Sequence, residues 1–245
     1  FINFKEALQT ELDEIFERFE FDYPLYILYS SGTTGKPKCI THGAGNVLIE
    51  HNKEFMLHCD IRDNEKIFYY TTTGWMMWNW LVGGLSSGAS LYLYDGSPTY
   101  PSKDILINFC SKEKINLFGV SAKYIDFLKK ENLNFSNLDL SSLKIIASTG
   151  SPLLKESFEY VYNNIKENVH LASISGGTDV VGCLVLGNIF SNVYSGEIQG
   201  ESLGIDVDIF DEQGKKIALG KKCELVVKKP FPSMPIKFWN DKDDK

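Results

Sequence analysis

The sequence predicts an α/β fold, a mostly parallel sheet with helices on both faces, followed by a smaller β-rich subdomain. Three observations predict it. From about residue 24 to residue 174, short β-branched or aromatic runs alternate with segments of helical periodicity, the pattern of parallel strands joined by helical crossovers. Beyond about residue 180 the helical periodicity stops and short strands separated by turn residues take over. With 43% apolar residues, and 16 Phe, 12 Tyr and 4 Trp against 20 Gly and 8 Pro, the 245-residue chain can fill a core. The expected division is 1–180 for the α/β core and 181–245 for the β-rich subdomain.

The elements follow in order. Leu8, Leu12, Ile15, Phe16 and Phe19 recur at helical spacing and Asn3 with Glu6 has the form of a capping box, so an amphipathic helix is expected over 3–19. After Pro24, Leu25 to Tyr29 reads as a buried strand that opens into a Ser/Gly/Thr-rich loop over 30–37, and a second strand follows at 38–41. Helices are expected at 46–57, 76–87, 102–112 and 122–130, alternating with strands at 67–71, 89–94, 115–120 and 143–148. Ser151 with Pro152 behind it has the form of a cap and first position of a further helix, and 169–174 of the next strand. In the second part, strands are expected at 181–186, 196–199, 205–210 and 223–228, with Asp211-Glu212-Gln213-Gly214 as a hairpin turn.

Charge and composition exclude several classes of partner. There are 25 Lys+Arg against 32 Asp+Glu, a net charge of −7, and the only arginines are Arg18 and Arg62, so no guanidinium stripe is available for nucleic acid. No apolar run approaches the ~18 to 20 residues needed to cross a bilayer. The opening segment carries Glu6, Glu11, Asp13, Glu14 and Glu17 where a signal peptide needs a basic start. Cys39, Cys59, Cys110, Cys183 and Cys223 are odd in number and contain no CxxC pair, as expected of reduced thiols in a cytoplasmic protein. His42, His51, His58 and His170 lack metal-ligand spacing.

The sharpest chemical signal is Tyr29-Ser30-Ser31-Gly32-Thr33-Thr34-Gly35-Lys36-Pro37-Lys38, directly after a strand. Such a loop offers hydroxyls, ammonium groups and unhindered backbone N–H groups, all suited to wrapping a polyphosphate. Only two residues separate its glycines and Pro37 follows the Lys, so it is not a Walker A loop. Taken alone, Trp75, Trp78 and Trp80 on a segment with Met76 and Met77 read as core packing rather than a ligand pocket, and Asp179 could simply cap the following segment.

The loop at 29–38 resembles the phosphate-binding signature of the AMP-forming adenylating enzymes, the superfamily of acyl-CoA synthetases, luciferases and nonribosomal adenylation domains. Other segments agree in order. Thr71-Thr72-Thr73-Gly74-Trp75-Met76-Met77-Trp78 is similar to that family's aromatic acyl-pocket motif, and Ser148-Thr149-Gly150-Ser151-Pro152 to the loop that lies against adenine. Ser175-Gly176-Gly177-Thr178-Asp179 is similar to the Thr-Glu motif, with Asp in place of Glu. Within the superfamily, TTTGWMMWNWLVGGL, LYDGSP, FGVSAKYID, STGSPL, LASISGGTD and PSMP resemble the acetoacetate-activating acyl-CoA synthetases over essentially the whole chain.

This resemblance implies an enzyme that uses ATP, Mg²⁺ and CoA to convert acetoacetate to acetoacetyl-CoA through an acyl-adenylate. It assigns Ser30, Ser31, Gly32, Thr33, Thr34, Gly35, Lys36 and Lys38, with Gly150, Ser151, Pro152, Ser175, Gly176, Gly177 and Thr178, to the nucleotide. It assigns Trp75, Met76, Met77, Thr149 and Gly176 to the acyl pocket, Asp179 to the metal, and Lys36, Thr178 and Asp179 to catalysis. Acetyl-CoA synthetases carry bulk where Ser175-Gly176-Gly177 stands, so room for a longer acid is expected. The resemblance also implies the central third of a longer enzyme, expected to be inactive without a C-terminal domain. Two alternatives stand beside it: a truncated, non-catalytic nucleotide-binding module, and a synthetase for another short-chain acid.

Overall fold

The computed structural model describes residue 5 and residues 15–30, 37–217 and 220–241. Lys5 is helical, while 15–20 have no regular structure and Ile15 and Phe16 are 82% exposed; the rest of the helix expected over 3–19 lies outside the described residues. A short amphipathic helix is held by the surface its apolar face covers, and among the described residues none covers Ile15 and Phe16.

The chain then forms an antiparallel hairpin, β1 (Pro24–Ser30) and β2 (Lys38–Gly43). The expectation of a buried strand at 25–29 is corrected here. β1 is the edge of a three-stranded sheet, and Leu25, Ile27 and Tyr29 are exposed while the alternate residues are half-buried. A strand packed on one face has that period of two.

The main sheet has five strands, all parallel: β3 (Lys66–Tyr69), β4 (Ser90–Tyr92), β5 (Leu117–Ser121), β6 (Ile145–Thr149) and β7 (His170–Ser173), in the order β4-β3-β5-β6-β7. Successive side chains point to opposite faces, and each face has its own core. Phe68, Phe118, Ile146 and Leu171 meet Leu106, Ile107, Ile125, Leu128, Phe158 and Val161 on one side. Ile67, Tyr69, Leu117, Ile145 and Ala172 meet Phe55, Met77, Trp80 and Leu81 on the other. The helices supplying these residues are α1 (Ala44–Asn52), α2 (Met76–Gly83), α3 (Ile105–Glu113), α4 (Ala122–Lys130) and α5 (Lys155–Tyr160). α1 runs on as a π turn to His58, α2 as a 3-10 turn to Ser87, and α5 as a π turn to Ile165.

Ser121 caps α4, its hydroxyl accepting the Tyr124 N–H at 3.3 Å. Ser151 and Pro152 do not begin a helix, contrary to the sequence pattern. α5 starts at Lys155, and the intervening loop turns at Gly150, whose φ of 86° suits glycine.

The β-rich part consists of small antiparallel pairings. β8 (Ser175–Gly177), β9 (Gly182–Leu186) and β10 (Gly200–Glu201) form one sheet in the order β10-β9-β8, and β11 (Val207–Phe210) with β12 (Glu224–Val227) forms another. The strand expected at 196–199 is displaced to β10, because Gly196 (φ 85°) makes a turn there. Asp211 to Gly214 turns as expected, with the Gly214 N–H donating to the Asp211 carbonyl at 3.0 Å. β13 (Lys237–Phe238) returns to pair with β2, so the first hairpin shares a small antiparallel sheet with a strand near the end of the chain.

Candidate functional site

A cavity of about 460 Å³ opens at the carboxyl ends of β6 and β7, the edge of a parallel sheet where α/β folds bind ligands. Trp75, Met76 and Met77, at the start of α2, give it an apolar wall. Ser175 to Thr178, from β8 and the turn after it, give it polar backbone and a hydroxyl. The loop Thr149 to Leu153 lies between them, and Gly182 and Cys183 of β9 complete the lining with Ser173 and Ile174.

Local chemistry fixes these positions. The Thr149 hydroxyl donates to the Ile174 carbonyl at 2.8 Å, joining the ends of β6 and β7. Gly150 lies beside the Trp75 ring, where a Cβ would make an ordinary 3.6 Å contact; glycine is favoured there by its φ of 86° instead. At Gly176 a Cβ would lie 2.0 Å from the Gly182 carbonyl oxygen, and only glycine lets β8 approach β9 this closely. Gly177 differs: its nearest neighbour would be Asp179 Oδ2 at 4.0 Å, so its open side is free.

Three histidines tie this region to the β2–α1 segment. His42 Nε2 donates to the Thr178 carbonyl at 2.7 Å and His51 Nε2 to the Val181 carbonyl at 2.7 Å. His58 Nδ1 donates to the Gly187 carbonyl at 2.9 Å while its Nε2 accepts the Leu203 N–H at 3.1 Å, which defines a neutral tautomer. Burial holds all three below the usual imidazole range, His51 to about 4. For His42, the Thr178 hydrogen bond and the negative charge of Asp179 act in the opposite direction but are outweighed.

Of the residues singled out from sequence, Trp75, Met76, Met77, Thr149, Gly150, Ser151, Pro152, Ser175, Gly176, Gly177 and Thr178 are brought together around this one cavity. Asp179 follows it immediately and is exposed. Ser30 and Lys38 are partners at the end of the β1–β2 hairpin, framing the loop between them. Ser31, Gly32, Thr33, Thr34, Gly35 and Lys36 lie outside the described residues. Sequence reasoning missed Leu153, Ser173, Ile174, Gly182, Cys183, Gly196 and Ile198, which also line the cavity. A signal existed for Gly182 and Cys183, an apolar run beginning five residues after a Ser-Gly-Gly stretch, but Gly196 and Ile198 carried none.

Among the described residues no three His, Cys, Asp or Glu side chains gather as metal ligands. A single exposed carboxylate, Asp179, fits a Mg²⁺ ion that brings phosphate oxygens and water as its other ligands. It does not fit an ion caged by protein alone.

A cavity at the strand ends of a doubly covered parallel sheet, walled by an aromatic helix start on one side and a Gly-Gly-Thr turn on the other, has the placement of a ligand site in an α/β protein. The family profile described as AMP-binding enzyme matches residues 4–234, and the chain belongs to that family. Its relatives are narrower in name. The chain is 55% identical over 230 residues to the acetoacetyl-coenzyme A synthetase of Rhizobium meliloti (strain 1021), covering 94% of this chain and 35% of that protein. It is 49% identical over 229 residues to the acetoacetyl-CoA synthetase of Gallus gallus, covering 93% and 34%. The structure of acetoacetyl-CoA synthetase from Streptomyces lividans superposes with a TM-score of 0.88 at 40% identity, covering 96% of this chain and 37% of that one. The chain thus spans about a third of the length of these relatives.

Proposed function

We propose that residues 1–180 supply the nucleotide- and acyl-binding core, and 181–245 the β-rich subdomain, of an ATP-dependent, AMP-forming ligase that joins acetoacetate to CoA. In the first half-reaction a carboxylate oxygen of acetoacetate attacks the α-phosphorus of ATP and pyrophosphate leaves. In the second, the CoA thiolate attacks the acyl carbonyl and AMP leaves.

Each group has work that suits its chemistry. Lys36, with Ser30, Ser31, Thr33, Thr34 and Lys38, holds the β- and γ-phosphates, while Gly32 and Gly35 let backbone N–H groups approach them. Thr178 donates to the α-phosphate, and Asp179 holds Mg²⁺ directly or through water. Bound Mg²⁺ neutralises charge on the phosphate oxygens. Gly150, Ser151 and Pro152, with the backbone of Ser175 and Gly177, flank the nucleotide. Trp75, Met76, Met77, Thr149 and Gly176 hold the acid with its carboxylate toward Thr178. The five free cysteines suit a reducing compartment, and we assign the protein to the cytoplasm.

One observation carries this reading: the apolar wall of Trp75, Met76 and Met77 faces the same cavity as the Ser175–Thr178 turn. That arrangement suits an acid whose tail is apolar and whose carboxylate must meet a phosphate. Acetoacetate-dependent exchange of labelled pyrophosphate into ATP, in the full-length natural protein, tests it; exchange is expected, and exchange that does not depend on any acid would refute it.

A further inference from the structure

Glu54 is a fully buried carboxylate in the π turn after α1, with no place in the chemistry above. Its Oε2 accepts the indole N–H of Trp80 at 2.6 Å, and its Oε1 accepts the backbone N–H of Cys183 at 2.7 Å. Trp80 lies one turn beyond Met76 and Met77 on α2, and its ring packs on Phe55 with centroids 4.1 Å apart. Cys183 itself lines the cavity, as does Gly182, where a Cβ would come within 2.7 Å of Glu50 Oε1 and 2.9 Å of Glu54 Oε1. One side chain therefore grips two of the elements that wall the acyl cavity.

The groups around it keep it in place. Lys53 donates to Glu50 at 2.7 Å and to the Ser202 hydroxyl, and its ammonium stands 3.7 Å from Glu54. Burial, and then the neighbouring charge of Glu50, push the Glu54 carboxyl well above the usual carboxylate range. In its protonated form Glu54 shares a hydrogen bond with Glu50 while still accepting from Trp80 and Cys183. Cys59 and Cys183 are the remaining titratable neighbours, both held as thiols by burial.

We infer that Glu54 is a positioning residue that sets acid selectivity, by fixing α2 and β9 against each other behind the acyl cavity. This rests on the acid-activating reading above. A displacement of about 1 Å in a binding wall costs on the order of 100-fold in a well-oriented reaction, and smaller shifts act first on discrimination between acids.

The test uses the full-length natural protein with Glu54→Gln, which keeps the donor to Glu50 but loses one acceptor, and Trp80→Phe, which removes the indole N–H together with one ring of the side chain. KM for acetoacetate, acetate and butyrate is measured by acid-dependent pyrophosphate release, together with KM for ATP. Both variants are expected to raise KM for acetoacetate roughly tenfold, to leave KM for ATP within about twofold, and to lower the preference for acetoacetate over acetate at least about fivefold. A purely structural role would depress all acids alike, and an unchanged preference would overturn the inference. Should Glu54→Gln fail to fold, Trp80→Phe decides alone. Failure of the underlying reading is separately visible, as wild-type protein that releases no pyrophosphate with any acid.

Discussion

The Nε2 of His42 lies 2.7 Å from the backbone carbonyl oxygen of Thr178, a hydrogen bond across 136 residues that ties β2 to the turn after β8. β2 follows the Ser/Gly/Thr-rich loop and the turn carries the Thr-Asp pair, so one neutral imidazole couples the two segments that we propose hold the nucleotide. Replacing His42 by Ala leaves a carbonyl without its donor, at a cost of ~1 to 3 kcal/mol. Adenylation is expected to slow by roughly 5- to 150-fold if that cost falls on the transition state. Gln at position 42 carries an N–H and should recover part of the loss. Single-turnover formation of acyl-adenylate measures both.

The two adjacent glycines should behave differently. Gly176→Ala drives a Cβ into the Gly182 carbonyl, 2.0 Å away, and is expected to destabilise the protein by about 1 to 3 kcal/mol. At Gly177 a Cβ meets nothing closer than Asp179 Oδ2 at 4.0 Å, so Gly177→Ala should fold normally while narrowing the approach to the cavity, shifting preference from acetoacetate toward acetate. Urea unfolding and an acid series separate the outcomes. Equal stability of Gly176→Ala and wild type would contradict the packing described for β8 and β9.

His51 links stability to pH. Its folded-state value, about 4, lies below the ordinary 6.5, because burial disfavours the charged ring. The unfolded chain therefore binds the extra proton between those two values. The stability contributed by His51 is present in full above pH 6.5 and is lost as pH falls toward 4, by on the order of 3 kcal/mol. Glu54, raised in the folded state, acts with the opposite sign, so the His51 contribution is isolated by comparing wild type with His51→Gln. Urea midpoints of the two proteins should converge as pH falls from 6.5 to 4; a constant gap would contradict the assignment.

Lys36→Ala should weaken adenylation without lowering the melting temperature, since substitutions in polar loops usually shift stability by under ~0.5 kcal/mol. Thermal unfolding beside ATP-dependent turnover checks this. A large fall in melting temperature with turnover intact would make the loop structural.

The parallel sheet was legible because its strands are short apolar runs between helical periods, and α4 matched residue for residue because Ser121 caps it. Ser151-Pro152 misled because a cap-like pair does not reveal that Gly150 turns the chain along a cavity. β8 escaped notice because Ser-Gly-Gly has little strand propensity and is a strand only through its pairing with β9. β13 depends on a partner nearly 200 residues earlier, a relationship no local pattern encodes. In the site, the Trp-Met-Met and Gly-Gly-Thr segments stood out as motifs. The grip of Glu54 on Trp80 and Cys183 did not, because a lone Glu in an amphipathic helix resembles any solvated one.

The central claim is that the cavity between Trp75 and Thr178 activates acetoacetate. Its most direct test is pyrophosphate release by the full-length natural protein with ATP, Mg²⁺ and CoA, compared across acetoacetate, acetate, 3-hydroxybutyrate and butyrate. Acetoacetate is expected to give the highest kcat/KM, with some use of the other acids because one contact in such a pocket discriminates by only ~1 to 3 kcal/mol. Equal or better use of acetate would contradict the account.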